Sequence, residues 1–263
     1  MKSIIITGAS GGVGSAFARL VATDYEYVAI CGYKNSEKLS ALEAGITTDK
    51  TKAGNNTPYQ EQQIQDIWQN KKCVCHKFVG DVGDYNFVSN MVDAVFKEAG
   101  SIDALVNIAG ISHIGLLTDV TPELWANIMS TNLTSIYNTC HCVVPHMVHA
   151  KAGKIINISS VWGLTGASCE VAYSAAKGGV NSFSKALAKE LAPSNISVNA
   201  IALGAIDTEM NNHLSHEERT ALENEIPYGK MAAPEEAATF IKGILDMPPY
   251  FTGEVVKFDG GWI

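Results

Sequence analysis

A buried strand that runs straight into a glycine cluster and then into a helix leaves few folds open to this chain. Residues 2–7 carry the apolar run Ile4-Ile5-Ile6, which reads as a buried strand. Gly8-Ala9-Ser10-Gly11-Gly12-Val13-Gly14 follows at once, and residues 15–23 continue with Phe17, Leu20 and Val21 at helical spacing. Glycines at such a turn permit positive φ and let a diphosphate approach the backbone, while the N–H groups and dipole of the helix start attract its charge. A glycine cluster alone marks only a flexible turn. Between a buried strand and a helix it predicts a dinucleotide site.

The strand and helix rhythm continues. Residues 27–31, 73–79, 104–107, 154–158, 197–202 and 255–258 read as further strands, and 86–98, 122–149, 173–191 and 234–246 as helices. Seven strands alternating with helices predict an α/β chain, with a doubly wound parallel sheet covered on both faces. A length of 263 residues with 46% hydrophobic content supplies the core for one domain over 1–263. Residues 44–70 break the rhythm. The polar, breaker-rich stretch 45–58 reads as a surface loop before a short helix at 59–68, so 43–72 is expected to be a surface insertion.

Charge and composition exclude several roles. A net charge of −8, a pI near 5.3 and only two arginines, Arg19 and Arg219, argue against nucleic acid as a partner. No stretch approaches the roughly 20 apolar residues that span a bilayer, and the start Met1-Lys2-Ser3 leads into a strand too short for a signal-peptide core. A cytoplasmic protein without membrane attachment is expected. Cys73-x-Cys75 and Cys140-x-Cys142, with His76, His141, His146 and His149 nearby, invite a metal reading. Neither pair has zinc-site spacing, and two helical residues two apart point roughly 200° apart, so no metal site is expected.

Tyr173-Ser174-Ala175-Ala176-Lys177 opens the 173–191 helix, thirteen residues after Ser160. Residues four apart share a helix face, which sets Lys177 one turn from Tyr173, and a cation fixed beside a phenol favours the phenolate. The spacing makes proton transfer possible without establishing it.

Taken in order, Thr7-Gly8-x-x-x-Gly12-x-Gly14, Asn107-Ile108-Ala109-Gly110, Asn132, Ser160, Tyr173 and Lys177 resemble the motif set of the short-chain dehydrogenase/reductase family. The resemblance covers essentially the whole chain. It implies a Rossmann-type single domain that passes a hydride between a nicotinamide cofactor and a carbonyl or alcohol. It also implies a catalytic set. Ser160 would hydrogen-bond the substrate carbonyl, and Tyr173 would deliver a proton as hydride arrives from NADPH. Lys177 would lower the Tyr173 pKa and hold the nicotinamide ribose, while Asn132 would position a water linking Lys177 to solvent. Ser159 is the rival to Ser160, whose offset to Tyr173 matches the family's.

The same resemblance assigns the cofactor contacts. Gly8, Ser10, Gly11, Gly12, Val13 and Gly14 would cradle the diphosphate, and Asp81 and Val82 would meet the adenine. Asn107, Ala109 and Gly110 line the cofactor side, Tyr173 and Lys177 the ribose, and Gly204, Ile206 and Thr208 the nicotinamide. Leu203-Gly204 replaces the more usual Pro-Gly. At the end of the second strand Gly32 stands where NAD-preferring relatives place an Asp, and Tyr33 and Lys34 follow. A positive charge where a 2′-phosphate would lie favours NADP(H) over NAD(H), although Gly11 stands where many NADP-specific relatives carry a basic side chain.

Substrate identity falls to residues 113–117, 162–170 and 206–228, the last within an expected substrate lid at 205–229. Its segment 211–219 is read as the start of a short amphipathic helix. Overall the chain resembles the 3-oxoacyl-acyl-carrier-protein reductases, which implies a carbonyl substrate tethered to a carrier protein. The stretch from Trp162 to Glu170 resembles a second branch, which reduces a 5-aminopentanone group on a lysine of elongation factor P, and Glu170 would suit an amine there. A non-catalytic NADP-sensing protein is the third reading, opposed by the presence of Ser160, Tyr173 and Lys177 together. Relatives commonly form homotetramers through the helices around 135–149 and 173–191.

Overall fold

Seven strands in this computed structural model, which describes residues 1–48 and 73–263, form one parallel sheet in the order β3-β2-β1-β4-β5-β6-β7. They are β1 (Ser3–Thr7), β2 (Tyr27–Gly32), β3 (Val74–Val79), β4 (Ala104–Asn107), β5 (Gly153–Ser160), β6 (Ile196–Leu203) and β7 (Val255–Phe258). The helices are α1 (Gly12–Val21), α2 (Ser36–Thr48), α3 (Tyr85–Ala99), α4 (Pro122–Met129), α5 (Ser135–Ala150), α6 (Val171–Leu191), α7 (His216–Glu225) and α8 (Pro234–Asp246). Successive strand residues point to opposite faces, which explains why the Ile4-Ile5-Ile6 run is buried throughout. Ile4 and Ile6 pack with Phe17 of α1 and Ile241 of α8, whereas Ile5 packs with Val92 of α3 and Val143 of α5. The sequence thus folds as the doubly wound α/β sheet it predicts.

Strand order reverses between β1 and β4, whose register pairs Thr7 with Asn107. Diverging connections at such a switch open a crevice at the carboxyl ends of the strands. Both of its lips are motif segments, the glycine turn after β1 and Ile108-Ala109-Gly110 after β4.

Two sequence expectations need correction here. Residues 45–48 belong to α2 rather than to a loop, because Leu39, Leu42 and Ile46 form a buried stripe that holds the helix on the sheet in spite of the breaker-rich composition. The expected helix at 59–68 lies outside the described residues, as does most of the 43–72 insertion. The single helix expected at 122–149 is instead α4 and α5 joined by a π-helical turn, Ser130–Thr134, which carries Asn132.

Candidate active site

The glycine turn is built for close approach. Gly8 sits at φ 70°, and a Cβ there would lie 2.6 Å from the Ala109 nitrogen, so the two lips of the crevice meet backbone to backbone. A Cβ on Gly14 would lie 2.2 Å from the Gly8 oxygen, and one on Gly12 2.8 Å from Thr208 Cγ2. Thr7 Oγ1 accepts from the Ile108 and Ala109 N–H groups at 3.2 and 3.3 Å, fixing the second lip to β1. Gly11 precedes α1 in extended conformation without a side-chain cap, leaving first-turn N–H groups for an external anion. The cradle that side chains would fill, opposite Thr208 and at a helix start, fits a nicotinamide dinucleotide held by its diphosphate.

A cavity of about 500 Å³ flanks this turn, lined by Ser10, Gly11, Ser15, Arg19, Lys38 and Glu209 among others. Arg19 and Lys38 were not singled out in the sequence, because neither lies in the glycine or β2-end motifs; only the fold of α2 onto α1 brings them there. Lys38 is paired with Glu209 across the cavity mouth. Gly32 is buried, and a Cβ there would lie 2.9 Å from Ser10 Oγ and 3.0 Å from Leu39 Cδ1. Tyr33 and Lys34 are exposed beside it, with the Lys34 ammonium 5.0 Å from the Tyr33 ring centroid.

Ser160 ends β5, and α6 brings Tyr173 and Lys177 alongside. Lys177 is only 2% exposed, and its ammonium donates to the Ile158 carbonyl at 2.7 Å. Burial pulls its pKa down to about 8 from the ordinary 10.5. Tyr173 is half-buried beside the Ser160 hydroxyl. Burial pushes its phenol up to about 12, the Ser160 hydroxyl pulls the other way, and the Glu170 carboxylate adds to the rise. The net shift is upward, and the lowering expected from Lys177, whose ammonium stands 5.7 Å from the ring centroid, is not among its causes.

Ser159 and Ser160 take different faces of β5. Ser159 Oγ donates to the Lys177 carbonyl at 3.1 Å, which holds α6 on the sheet, whereas Ser160 Oγ accepts from the Trp162 N–H at 3.2 Å and meets Tyr173. Asn132 is wholly buried in the π-helical turn, donating to the Ile111 and Ile128 carbonyls at 2.9 Å each and accepting from the Ile111 N–H at 3.1 Å. A Cβ on Gly110 would lie 2.8 Å from Asn132 Oδ1 and 3.4 Å from Lys177 Nζ, so both polar atoms converge on that glycine.

Other candidates separate. Asn107 is 3% exposed, donating to Asn157 Oδ1 and accepting from Thr139 Oγ1 at 2.9 Å each, so its carboxamide braces β4, β5 and α5. Asp81 accepts from the Gly83 N–H at 2.8 Å through Oδ1, and the α3 N-cap is Asp84 rather than Asp81. Val82 is buried beneath it, its carbonyl accepting from Asn138 at 3.1 Å. Gly204 packs against Asp259, and Ile206 is buried in a bridge to Ala232. Within 205–229, the Arg219 guanidinium grips both Asp207 oxygens at 3.0 and 2.7 Å. The helix there begins at His216 rather than 211, where Ser215 and Glu218 form a capping box, and it buries no residue. With Leu222 as its one large apolar side chain it has no apolar stripe and is not amphipathic. Among the described residues no cluster of three or more His, Cys, Asp or Glu side chains could hold a metal ion, and no helix is long and apolar enough to cross a membrane.

Comparison with known proteins agrees with this geometry. The family model described as short chain dehydrogenase matches residues 46–219. A 3-oxoacyl-(acyl-carrier-protein) reductase of Chlamydia muridarum is 37% identical over 99% of this chain and 96% of its own length. The corresponding reductase of Thermotoga maritima is 35% identical over 100% of this chain and 98% of its own. An oxidoreductase of Bacillus subtilis named YmfI, described as uncharacterized, is 36% identical over 99% and 98%.

Proposed function

We propose that this chain, which belongs to the short-chain dehydrogenase family of NAD(P)-dependent oxidoreductases, uses NADPH to reduce the 3-oxo group of a carrier-bound acyl thioester. The observation that carries the reading is the convergence of Ser160, Tyr173 and buried Lys177 at the mouth of the switch-point crevice, beside a glycine cradle. The named activity of the chlamydial and Thermotoga relatives supports the substrate class.

When bound, the dinucleotide supplies the hydride. The diphosphate would lie on Gly11, Gly12 and the α1 start, with Thr208 facing it. Ser160 Oγ, already accepting from the Trp162 N–H, keeps its own proton to donate to the substrate oxygen as negative charge develops. Tyr173, with a pKa near 12, holds its proton at neutral pH and is therefore an acid, able to protonate that oxygen. Lys177, near 8, remains largely protonated at pH 7 and can return a proton toward the phenol. Asn132 holds the Ile111 backbone and the π-helical turn beside Lys177. The segment 205–229 would act as a substrate lid, braced internally by the Asp207–Arg219 contact.

Cofactor choice goes to NADPH. Gly32 supplies no carboxylate to hold a ribose 2′-hydroxyl and is crowded by Ser10 Oγ and Leu39 Cδ1, and among the described residues no ion pair engages Lys34. A second reading is favoured by Glu170, half-buried at the cleft with Trp162 and His213 as neighbours. A carboxylate there would recognise an amine on the substrate, as on an aminoketone-modified protein. The test is NADPH oxidation with acetoacetyl-carrier protein and with an aminoketone, using Tyr173→Phe as control. Turnover lost by about 100-fold or more in Tyr173→Phe supports the chemistry. Equal turnover by that variant, or none by the wild type on either substrate, refutes it.

A further inference from the structure

The chain's last turn reaches the proton-transfer site. After β7, Asp259 reverses the backbone: its carboxylate accepts from the Gly261 and Ile263 N–H groups at 3.0 and 3.2 Å, and Gly260 and Gly261 take φ 66° and 82°. A side chain at Gly260 would collide with the lid end, its Cβ lying 2.8 Å from Ile226 Cγ2, and the Gly260 carbonyl accepts from the Tyr228 N–H at 3.1 Å. The turn is therefore held at both ends, and it delivers Trp262 against Trp162, with ring centroids 4.8 Å apart and planes at 61°. This is the edge-to-face geometry aromatic pairs prefer.

Trp162 begins the single helical turn Trp162–Thr165 that follows Ser160 and Val161. Its backbone N–H donates to Ser160 Oγ at 3.2 Å, and its side chain lies near enough to Glu170 to favour that carboxylate. On the other side the turn lies directly on α6. A Cβ at Gly163 would fall 2.7 Å from the Lys177 carbonyl carbon, and Asn181 Nδ2 donates to the Gly163 carbonyl at 2.9 Å. The turn is thus held on α6 through Gly163, while its Trp162 ring meets Trp262.

We infer that Trp262 is a positioning residue for Ser160, acting through Trp162 to fix the hydrogen bond that leaves the serine proton for the substrate. The inference rests on the catalytic role proposed for Ser160. A hydroxyl has one proton and two acceptor positions. With the Trp162 N–H occupying an acceptor position, the Ser160 proton is directed away from its own backbone and into the cleft. Without Trp262 the Trp162 turn loses its outer support, and the Ser160 rotor with it. The same contact ties the lid end at Tyr228 to the serine side of the site, so the C-terminal turn joins two walls of the cleft.

The test uses the full chain with NADPH and acetoacetyl-coenzyme A as the probe thioester, comparing wild type, Trp262→Ala and Trp262→Phe. Trp262→Ala is expected to lower kcat about tenfold while KM for NADPH stays within about twofold, since the loss falls on transition-state donation rather than on cofactor binding. Trp262→Phe, which keeps an aromatic edge against Trp162, is expected to restore kcat to within about threefold of wild type. In circular dichroism the coupled signal of the two indoles disappears in both variants. Thermal midpoints stay within about 3 °C, because the residue is half-exposed. A Trp262→Ala kcat within about twofold of wild type overturns the inference alone. So does a Trp262→Phe protein as impaired as Trp262→Ala, or the absence of a coupled indole signal in the wild type. A wild type that turns over no carbonyl compound overturns the proposed function and this inference together.

Discussion

Replacing Lys177 by Met should stabilise the protein while abolishing its activity. The ammonium is buried, and among the described residues its one hydrogen bond is to the Ile158 carbonyl. Its pKa falls from 10.5 to about 8, which corresponds to a cost of about 3 kcal/mol for holding the charge in the folded state near neutrality. Methionine fills most of the same volume without charge, and losing the hydrogen bond to Ile158 returns about 1–1.5 kcal/mol of that gain. Lys177→Met is therefore expected to be about 1–2 kcal/mol more stable at pH 7. The pH dependence is the stricter part. Below about 8 the lysine is charged in both states and the full cost is present; between about 8 and 10.5 the unfolded chain binds the extra proton. Wild-type stability therefore rises with pH across that window, and the advantage of Lys177→Met shrinks as it does. Urea unfolding of both proteins side by side at pH 6, 7, 8 and 9, followed by tryptophan fluorescence, measures the difference. A variant destabilised by more than about 1 kcal/mol at pH 7, or a difference that does not fall between pH 8 and 9, refutes the reasoning.

Three further outcomes are expected. The kcat/KM for carbonyl reduction should be flat below pH 7 and fall through a single ionisation near 8 as free Lys177 loses its proton, with Tyr173 protonated throughout; a pH-rate profile over 6–9.5 measures it, and a flat profile to 9.5 refutes it. Gly8→Ala combines left-handed strain with a Cβ 2.6–2.9 Å from the Ile108 and Ala109 backbone, and should cost about 3 kcal/mol in denaturant unfolding as well as weaken dinucleotide binding. Lys34→Ala should raise the Kd for NADPH about tenfold and leave that for NADH within about twofold, read by quenching of intrinsic fluorescence; equal effects on both cofactors would remove Lys34 from the 2′-phosphate reading.

Most of the fold was legible because its signals are local. Ile4-Ile5-Ile6 lies between two packed faces and reads as apolar without alternation, and each strand expected at 104–107 and 255–258 has the bounds found in the sheet. The misreadings arose where tertiary contact decides. The 45–48 stretch is breaker-rich yet helical because Leu39, Leu42 and Ile46 are buried on the sheet, and no neighbouring residue in the sequence reports that surface. The π-helical turn at Ser130–Thr134 has no sequence signature, and it depends on Asn132 reaching the Ile111 backbone across the crevice. At the site, the identity of Ser160, Tyr173 and Lys177 came from motif order and their proximity follows from β5 and α6. Asn107 shows the limit of a motif. Its position was marked, but only the fold shows that its carboxamide is spent on Asn157 and Thr139. Trp262 lies far in sequence from every motif and enters its site through a contact between distant elements, whereas Arg19 and Lys38 lie just beyond Gly14 and Lys34 and meet where α2 packs against α1.

The two pKa shifts at the site share one cause and act in opposite directions. A spacing argument treats Lys177 as a charge that acts on Tyr173, as it would on an exposed helix. The fold removes water from both groups, and removal of water disfavours every charged form. The phenol is therefore held protonated and the ammonium is weakened, so at pH 7 the pair consists of a neutral acid backed by a cation poised to give up its proton. A phenolate base, the species that alcohol oxidation requires, is disfavoured in the same site. Glu170 reinforces this by adding negative charge near Tyr173, and Ser160 opposes it only in part. The protonated state of Tyr173 at neutral pH therefore follows from burial rather than from helical spacing, which alone would have favoured the phenolate.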